Sequence, residues 1–235
     1  MRLQNRLSMR GNSLHDTVKL RICALCIAVL MSATGCGKDF DASGYVQALL
    51  DLTFQGEISG AAGFMEDASE EALMKAYQDS IDRFVAGNIT SGMDIGELKS
   101  SRFAELVSKI FLTMRYGVGE AEKTGKKEYK VTVDIWPADV FVNFRQMLTE
   151  DSLKMAEKIK AGEYEGETEE ETDQKILSDI INHAYELLDT AYMDIQYGDK
   201  ETVTLRVHAG RGEDASVDED DMDRLFRKIL RLDES

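Results

Sequence analysis

Few side chains in this 235-residue chain are suited to covalent chemistry, and the cysteines come first. Cys23, Cys26 and Cys36 are the whole set, so everything beyond residue 36 is cysteine-free. Cys23-x-x-Cys26 has the spacing of a redox or metal pair, but it lies in an apolar run with no acid, histidine or glycine turn, which argues against activation of either thiol. Beyond Cys36 the only histidines are His183 and His208. Zinc catalysis asks for two or three close His or Cys ligands and an open position, and these two read as a packing and a surface residue. No G-x-S-x-G elbow is present to expose a nucleophilic serine.

Carboxylates are abundant and correspondingly uninformative. Asp218, Glu219, Asp220 and Asp221 are contiguous at a helix start, with Asp223 following Met222, whereas a calcium loop needs oxygens at alternate positions and a glycine bend. They read as acids favoured by the helix dipole on a solvated face. Glu163, Glu165, Glu167, Glu169, Glu170 and Glu171, around Gly162 and Gly166, read as a polar loop running into a helix cap. Gly60-Ala-Ala-Gly63 and Gly117-Val-Gly119 lack the strand-turn-helix setting of a phosphate cradle and read as loops. Trp136, Phe141 and Phe144, with Tyr164 and Tyr185, could line a pocket but suit a core. No catalytic, cofactor-binding or metal-binding residue is therefore assigned.

The best-defined chemistry lies at Cys36. Arg2, Arg6, Arg10, Lys19 and Arg21 precede an apolar run, Ile22–Met31, and the small residues Ser32-Ala33-Thr34-Gly35 follow it. That order is the order of a secretory signal, and the run is shorter than the 20 or so residues that cross a bilayer. The charged segment is long enough for Met9 to be the start. Ala33-Thr34-Gly35-Cys36 resembles the lipobox of bacterial lipoproteins, with Ala33 where leucine is usual. The resemblance implies a diacylglycerol thioether on Cys36, which would become the first residue of the mature protein. Residues 1–35 are then the signal peptide, 36–43 a short lipid-anchored tether and 44–235 one domain.

The elements that follow alternate between helical and strand periods. Ser43 suits the N-cap of a helix carrying Tyr45, Val46, Leu49, Leu50 and Phe54; Ser69 opens another with Leu73, Tyr77, Ile81 and Phe84. After a loop from Gly87 to Gly96, a third carries Leu98, Phe103, Leu106, Val107, Ile110 and Met114 and stops at a Tyr116-Gly117 cap. Glu128–Trp136 alternates as a half-buried strand with Tyr129, Val131, Val133 and Ile135 inward, and Pro137 ends it. A helix to about Lys160 follows, and Thr168-x-x-Glu171 caps a longer one. Thr202–His208 is the second strand, and Ser216-x-x-Glu219 reads as the cap of a final helix. The expected class is α+β, predominantly helical, with about six helices over a small antiparallel sheet of two or three strands.

The whole chain carries −16, and because residues 1–35 hold five basic residues against Asp16, the remainder carries −20. Such a field repels phosphate backbones and anionic lipid headgroups, so nucleic acid is not expected as a partner. Membrane attachment would rest on acyl chains rather than basic residues.

Phe40-Asp41-Ala42-Ser43-Gly44-Tyr45-Val46-Gln47-Ala48-Leu49-Leu50-Asp51, then Gln55-Gly56-Glu57, Val131-Thr132-Val133, Phe141 and Asp218-Glu219-Asp220-Asp221, resemble a family of uncharacterised lipoproteins of Gram-positive Firmicutes, chiefly Clostridia. Phe54-Gln55 stand where Tyr-Lys is common, and Ile58–Phe64 is Gly/Ala-rich where an acidic, aromatic segment is usual. The resemblance implies a domain of unknown function and brings no catalytic residue. The expected function is a membrane-anchored, extracytoplasmic, non-enzymatic module that binds an unknown protein or small ligand. The alternative is a cell-envelope hydrolase with carboxylate-based catalysis. A two-lobed solute receptor would need more βαβ units.

Overall fold

A computed structural model describes residues 40–64, 69–90, 93, 95–164, 166, 168–209 and 215–234. Residues 1–35, read from sequence as a signal peptide, and Cys36 lie outside the described residues, as do Glu165 and Glu167. Seven α-helices and four strands are described: α1 Ala42–Leu50, α2 Ile58–Ala62, α3 Glu70–Phe84, α4 Glu97–Phe111, β1 Arg115–Lys123, β2 Glu128–Trp136, α5 Val140–Ala161, α6 Glu169–Met193, β3 Glu201–His208, β4 Ser216–Val217 and α7 Glu219–Ile229. The class is α+β and predominantly helical. No helix among the described residues is long and apolar enough to cross a membrane.

The sheet is antiparallel throughout, in the order β1-β2-β3-β4. Alternation in β2 and β3 puts Tyr129, Val131 and Val133 opposite Val207, Leu205 and Val203 on one face, all buried. The opposite face carries Lys130 with Arg206, Thr132 with Thr204, and Asp134 with Thr202. Lys200 Nζ and Thr202 Oγ1 both donate to the Asp134 carboxylate, at 2.8 and 2.6 Å. Helix α1 packs on β1 and β2, and α7 on β3. Most buried side chains of sheet and helices form one continuous cluster, and the buried Met155 on α5 lies outside it.

The sheet has four strands, more than the two or three expected, because β1 does not look like a strand. Tyr116-Gly117 does not cap α4; it begins β1, which pairs with β2 from Arg115 opposite Trp136 to Lys123 opposite Tyr129. RYGVGEAEK lacks the β-branched alternation that marks a strand. Gly119 admits a close neighbour instead: a Cβ there would lie 2.5 Å from Thr132 Oγ1, and the Gly119 carbonyl accepts from the Ser43 hydroxyl at 2.9 Å. A register shift between Val118 and Ala121 marks a bulge here.

Several helix limits also differ from the sequence reading. Ser43 is not the N-cap of α1; Asp41 is, its carboxylate accepting from Gly44 N at 2.8 Å. Ser216 lies in β4, and Asp218 caps α7 by accepting from Asp221 N at 3.1 Å. The Gly60–Gly63 cluster forms α2 and its turn rather than a loop. Two π-helical turns follow α1 and α3: Asp51–Gln55 closes the first helix within its expected extent, and Val85–Ile89 carries the second beyond its expected end into the Gly87–Gly96 stretch read as a loop. The first ends at Gly56, whose φ of 63° and position against the Tyr77 ring exclude a side chain. Leu98, placed in the inner stripe of α4, is 86% exposed; burial begins at Phe103.

Helices α5 and α6 form an arm. They pack mainly on each other, and both roots lie at the end of the sheet away from the β1–β2 hairpin, one following Trp136 and the other leading to Glu201. The roots are tied together. Asp139 N donates to Gln196 O at 3.1 Å, Gln196 N donates to the Asp139 carboxylate at 2.8 Å, and Gly198 N donates to Pro137 O at 2.8 Å. Ala138 N donates to Ile229 O at 2.8 Å, fastening the same knot to α7.

Candidate functional site

Titratable side chains converge on the arm. Asp151 on α5 and Asp179 on α6 flank His183, which is one helical turn beyond Asp179. His183 Nδ1 lies 3.0 Å from Asp151 Oδ2, and Nε2 lies 3.6 Å from Asp179 Oδ1. Tyr164, in the turn between the helices, donates to Asp179 Oδ2 at 2.5 Å, with Met155 Sδ 3.2 Å from the same hydroxyl. The tyrosine is pushed up to about 12, first by its hydrogen bond to the Asp179 carboxylate, then by burial and the negative charges of Asp179, Glu163 and Asp151.

The two ring nitrogens of His183 face different carboxylates, so the imidazole bridges two acids across the helix pair. This is a latch geometry. A metal would need several donors aimed at one point, and no group of three or more His, Cys, Asp or Glu among the described residues has that arrangement. The sequence placed His183 beside the apolar stripe of its helix; its two acidic partners come from α5 and from the preceding turn of α6. The i,i+4 spacing of Asp179 and His183 was the available signal for one contact, while the Asp151 contact depends on how the helices dock.

Near the arm tip the apolar seam is incompletely covered. Met155 and Ile181 are buried, but Ile159, one turn nearer the tip on α5, is 41% exposed, and Leu177, one turn nearer the tip on α6, is 38% exposed. Leu177 joins Glu169, Glu170, Asp173 and Gln174 around a shallow hollow of about 350 Å³. Thr168 accepts from Glu171 N at 3.2 Å, so the expected cap of this helix is in place.

The other residues singled out by sequence disperse. His208 pairs with Glu128 across β2 and β3, Nδ1 to Oε1 at 2.6 Å, away from the arm latch. Phe141 packs on Phe84 with centroids 5.1 Å apart, and Phe144 is buried. Tyr185 lies against Phe103 at 5.5 Å and under the Arg102 guanidinium at 4.2 Å. Trp136 is half-buried at the end of β2. The Asp218–Asp223 run is not wholly a solvated face: Asp221 is buried, accepting from Arg206 N, Nε and Nη2 and from Arg224 Nη2.

A polar group at the first π-turn gave no sequence signal. Tyr116 OH donates to Asp51 at 2.6 Å, Gln47 Nε2 donates to the same carboxylate at 2.7 Å, and Gln55 Nε2 donates to the tyrosine oxygen at 3.1 Å. Burial, then the Asp51 carboxylate, holds the phenol far above its ordinary range. Thr53, in the same turn, is buried with no partner for its hydroxyl among the described residues. The geometry ties the π-turn to β1, with Phe54 packed on Phe111, Tyr116 and Phe226.

No family model and no curated protein matches this chain. Among solved structures, it is similar to that of a Bacillus subtilis protein described as a "putative lipoprotein (ycdA)", with a TM-score of 0.50 and 10% identity, covering 81% of this chain. The chain spans 56% of that structure's length. At this identity the likeness is one of fold.

Proposed function

We propose that the protein is a membrane-anchored extracytoplasmic lipoprotein, acylated at Cys36, that serves as a non-enzymatic binding or interaction module through the outer part of the α5–α6 arm. The observation that carries the binding role is the opening of the arm's seam, where Ile159 and Leu177 are exposed although Met155 and Ile181, one turn inward, are buried. Leu177, set among Glu169, Glu170 and Asp173, suits a partner with an apolar centre and a basic rim. The anchor rests on the small residues before Cys36 at the end of an export-length apolar run, and the name of the structural neighbour agrees with it.

A photo-crosslinking residue at Leu177 in the native envelope should form a defined adduct, while the same residue at Met193, exposed near the arm root, should not. Equal labelling from both positions would remove the arm as the contact surface. Cys36→Ser should appear in the medium or as unprocessed precursor; a variant of processed mass that still partitions into detergent would refute the anchor. The hydrolase alternative would draw on Asp151, Asp179 and His183, and an unchanged envelope composition in a host carrying Asp179→Asn would count against it.

A further inference from the structure

We propose that the β1–β2 hairpin end of the sheet lies against the membrane, with Lys123, Lys126, Lys127 and Lys130 on the phosphates of anionic lipid headgroups. This rests on acylation of Cys36, because the geometry follows from how soon the chain joins the fold after that residue. Phe40 lies four residues past Cys36, a distance that spans at most about 14 Å when extended. Its ring packs 5.7 Å from Tyr45 and 5.9 Å from Tyr129. Tyr129 pairs with Lys123, the last pair before the hairpin turn, where Thr124 N and Gly125 N both donate to Glu128 O. A domain held by acyl chains on Cys36 therefore has this turn within reach of the bilayer surface, although the tether alone does not press it there.

Charge selects the same orientation. Residues 122–130 carry four lysines against Glu122 and Glu128, in a chain that is −20 beyond residue 35. Glu128 is bonded by His208. No described carboxylate forms an ion pair with Lys126, Lys127 or Lys130, whereas Arg206, Arg224, Arg227, Lys228 and Arg231 each engage one. Lys126 and Lys130 are exposed. An anionic surface attracts lysines lying within a Debye length of about 8 Å and repels the acidic remainder. Both forces turn the hairpin toward the lipid, and the arm, rooted at the other end of the sheet, is left clear of it.

The mature chain has no free thiol when Cys36 is acylated, so a cysteine introduced elsewhere reports on its own surroundings. The acylated protein would be placed in vesicles of phosphatidylglycerol with phosphatidylcholine, or of phosphatidylcholine alone, and treated with a bulky impermeant maleimide. On the anionic vesicles, Thr124→Cys should react about fivefold more slowly than Leu153→Cys. The difference should vanish in detergent, on neutral vesicles, and when Lys126→Glu and Lys127→Glu are added. Equal rates on anionic vesicles overturn the proposal. So does protection that persists on neutral vesicles and survives both substitutions, since the tether alone would then produce it. A protein that fails to sediment with vesicles and labels at Cys36 refutes the anchor itself, and the orientation with it.

Discussion

Asp221 shows how far one carboxylate can be committed. Burial alone would raise its pKa, but donors from the Arg206 side chain and backbone and from Arg224 override this and hold it below the ordinary carboxylate value. A carboxylate depressed in the folded state contributes fully above its unfolded value near 3.9, and that contribution is lost as pH falls through the lower folded value. Asp221→Asn should therefore cost about 1–3 kcal/mol in urea melts at pH 7 and much less near pH 2. An equal cost at both pH values would contradict the pairing. The strand residues make a sharper contrast. Val133 is fully buried and Thr132 exposed, so Val133→Asp should cost several kcal/mol of a total of about 5–15, and Thr132→Asp far less. Equal costs would mean that the sheet is covered on both faces. At this scale the alternation of Glu128–Trp136 was legible, because side-chain period alone fixes it. The partners of Asp221 and His183 were not, since they come from other elements whose docking no local pattern encodes.

Among the elements, the legible ones carry their own periodicity or cap. Helix α6 opens at Thr168 as its sequence indicates. β1 escaped because Gly119 serves there as room for Thr132 rather than as a turn, and the π-turns escaped because one extra residue in a helix has no compositional mark. The arm was readable as two helices but not as a projection, since its seam looks like any core stripe until its coverage is known. If the Asp151–His183–Asp179–Tyr164 latch holds the outer arm, His183→Ala with Tyr164→Phe should raise amide hydrogen exchange in residues 148–161 and 169–180 while leaving the sheet amides unchanged. Faster exchange across β2 and β3 as well would show that the arm and the sheet open as one unit.

At the scale of the whole molecule, the acidic α+β class followed from composition and period, whereas the relation between the two ends of the sheet emerged only from topology. The knot at Asp139 and Gln196 adds a consequence for how the chain reaches this state. β2 and β3 are neighbours in the sheet, yet residues 137–200 separate them. Closing a flexible loop of that length costs more than closing a short one, by about 0.6 kcal/mol per doubling. An arm that forms first, from local helical contacts, brings Trp136 and Glu201 together beforehand and leaves only a short effective loop to close. Its seam then belongs to the folding nucleus. Met155→Ala, which trims a buried side chain in the α5–α6 seam, should slow refolding in stopped-flow measurements and leave the unfolding rate nearly unchanged. Faster unfolding at an unaltered refolding rate would place the arm's assembly after the sheet has closed.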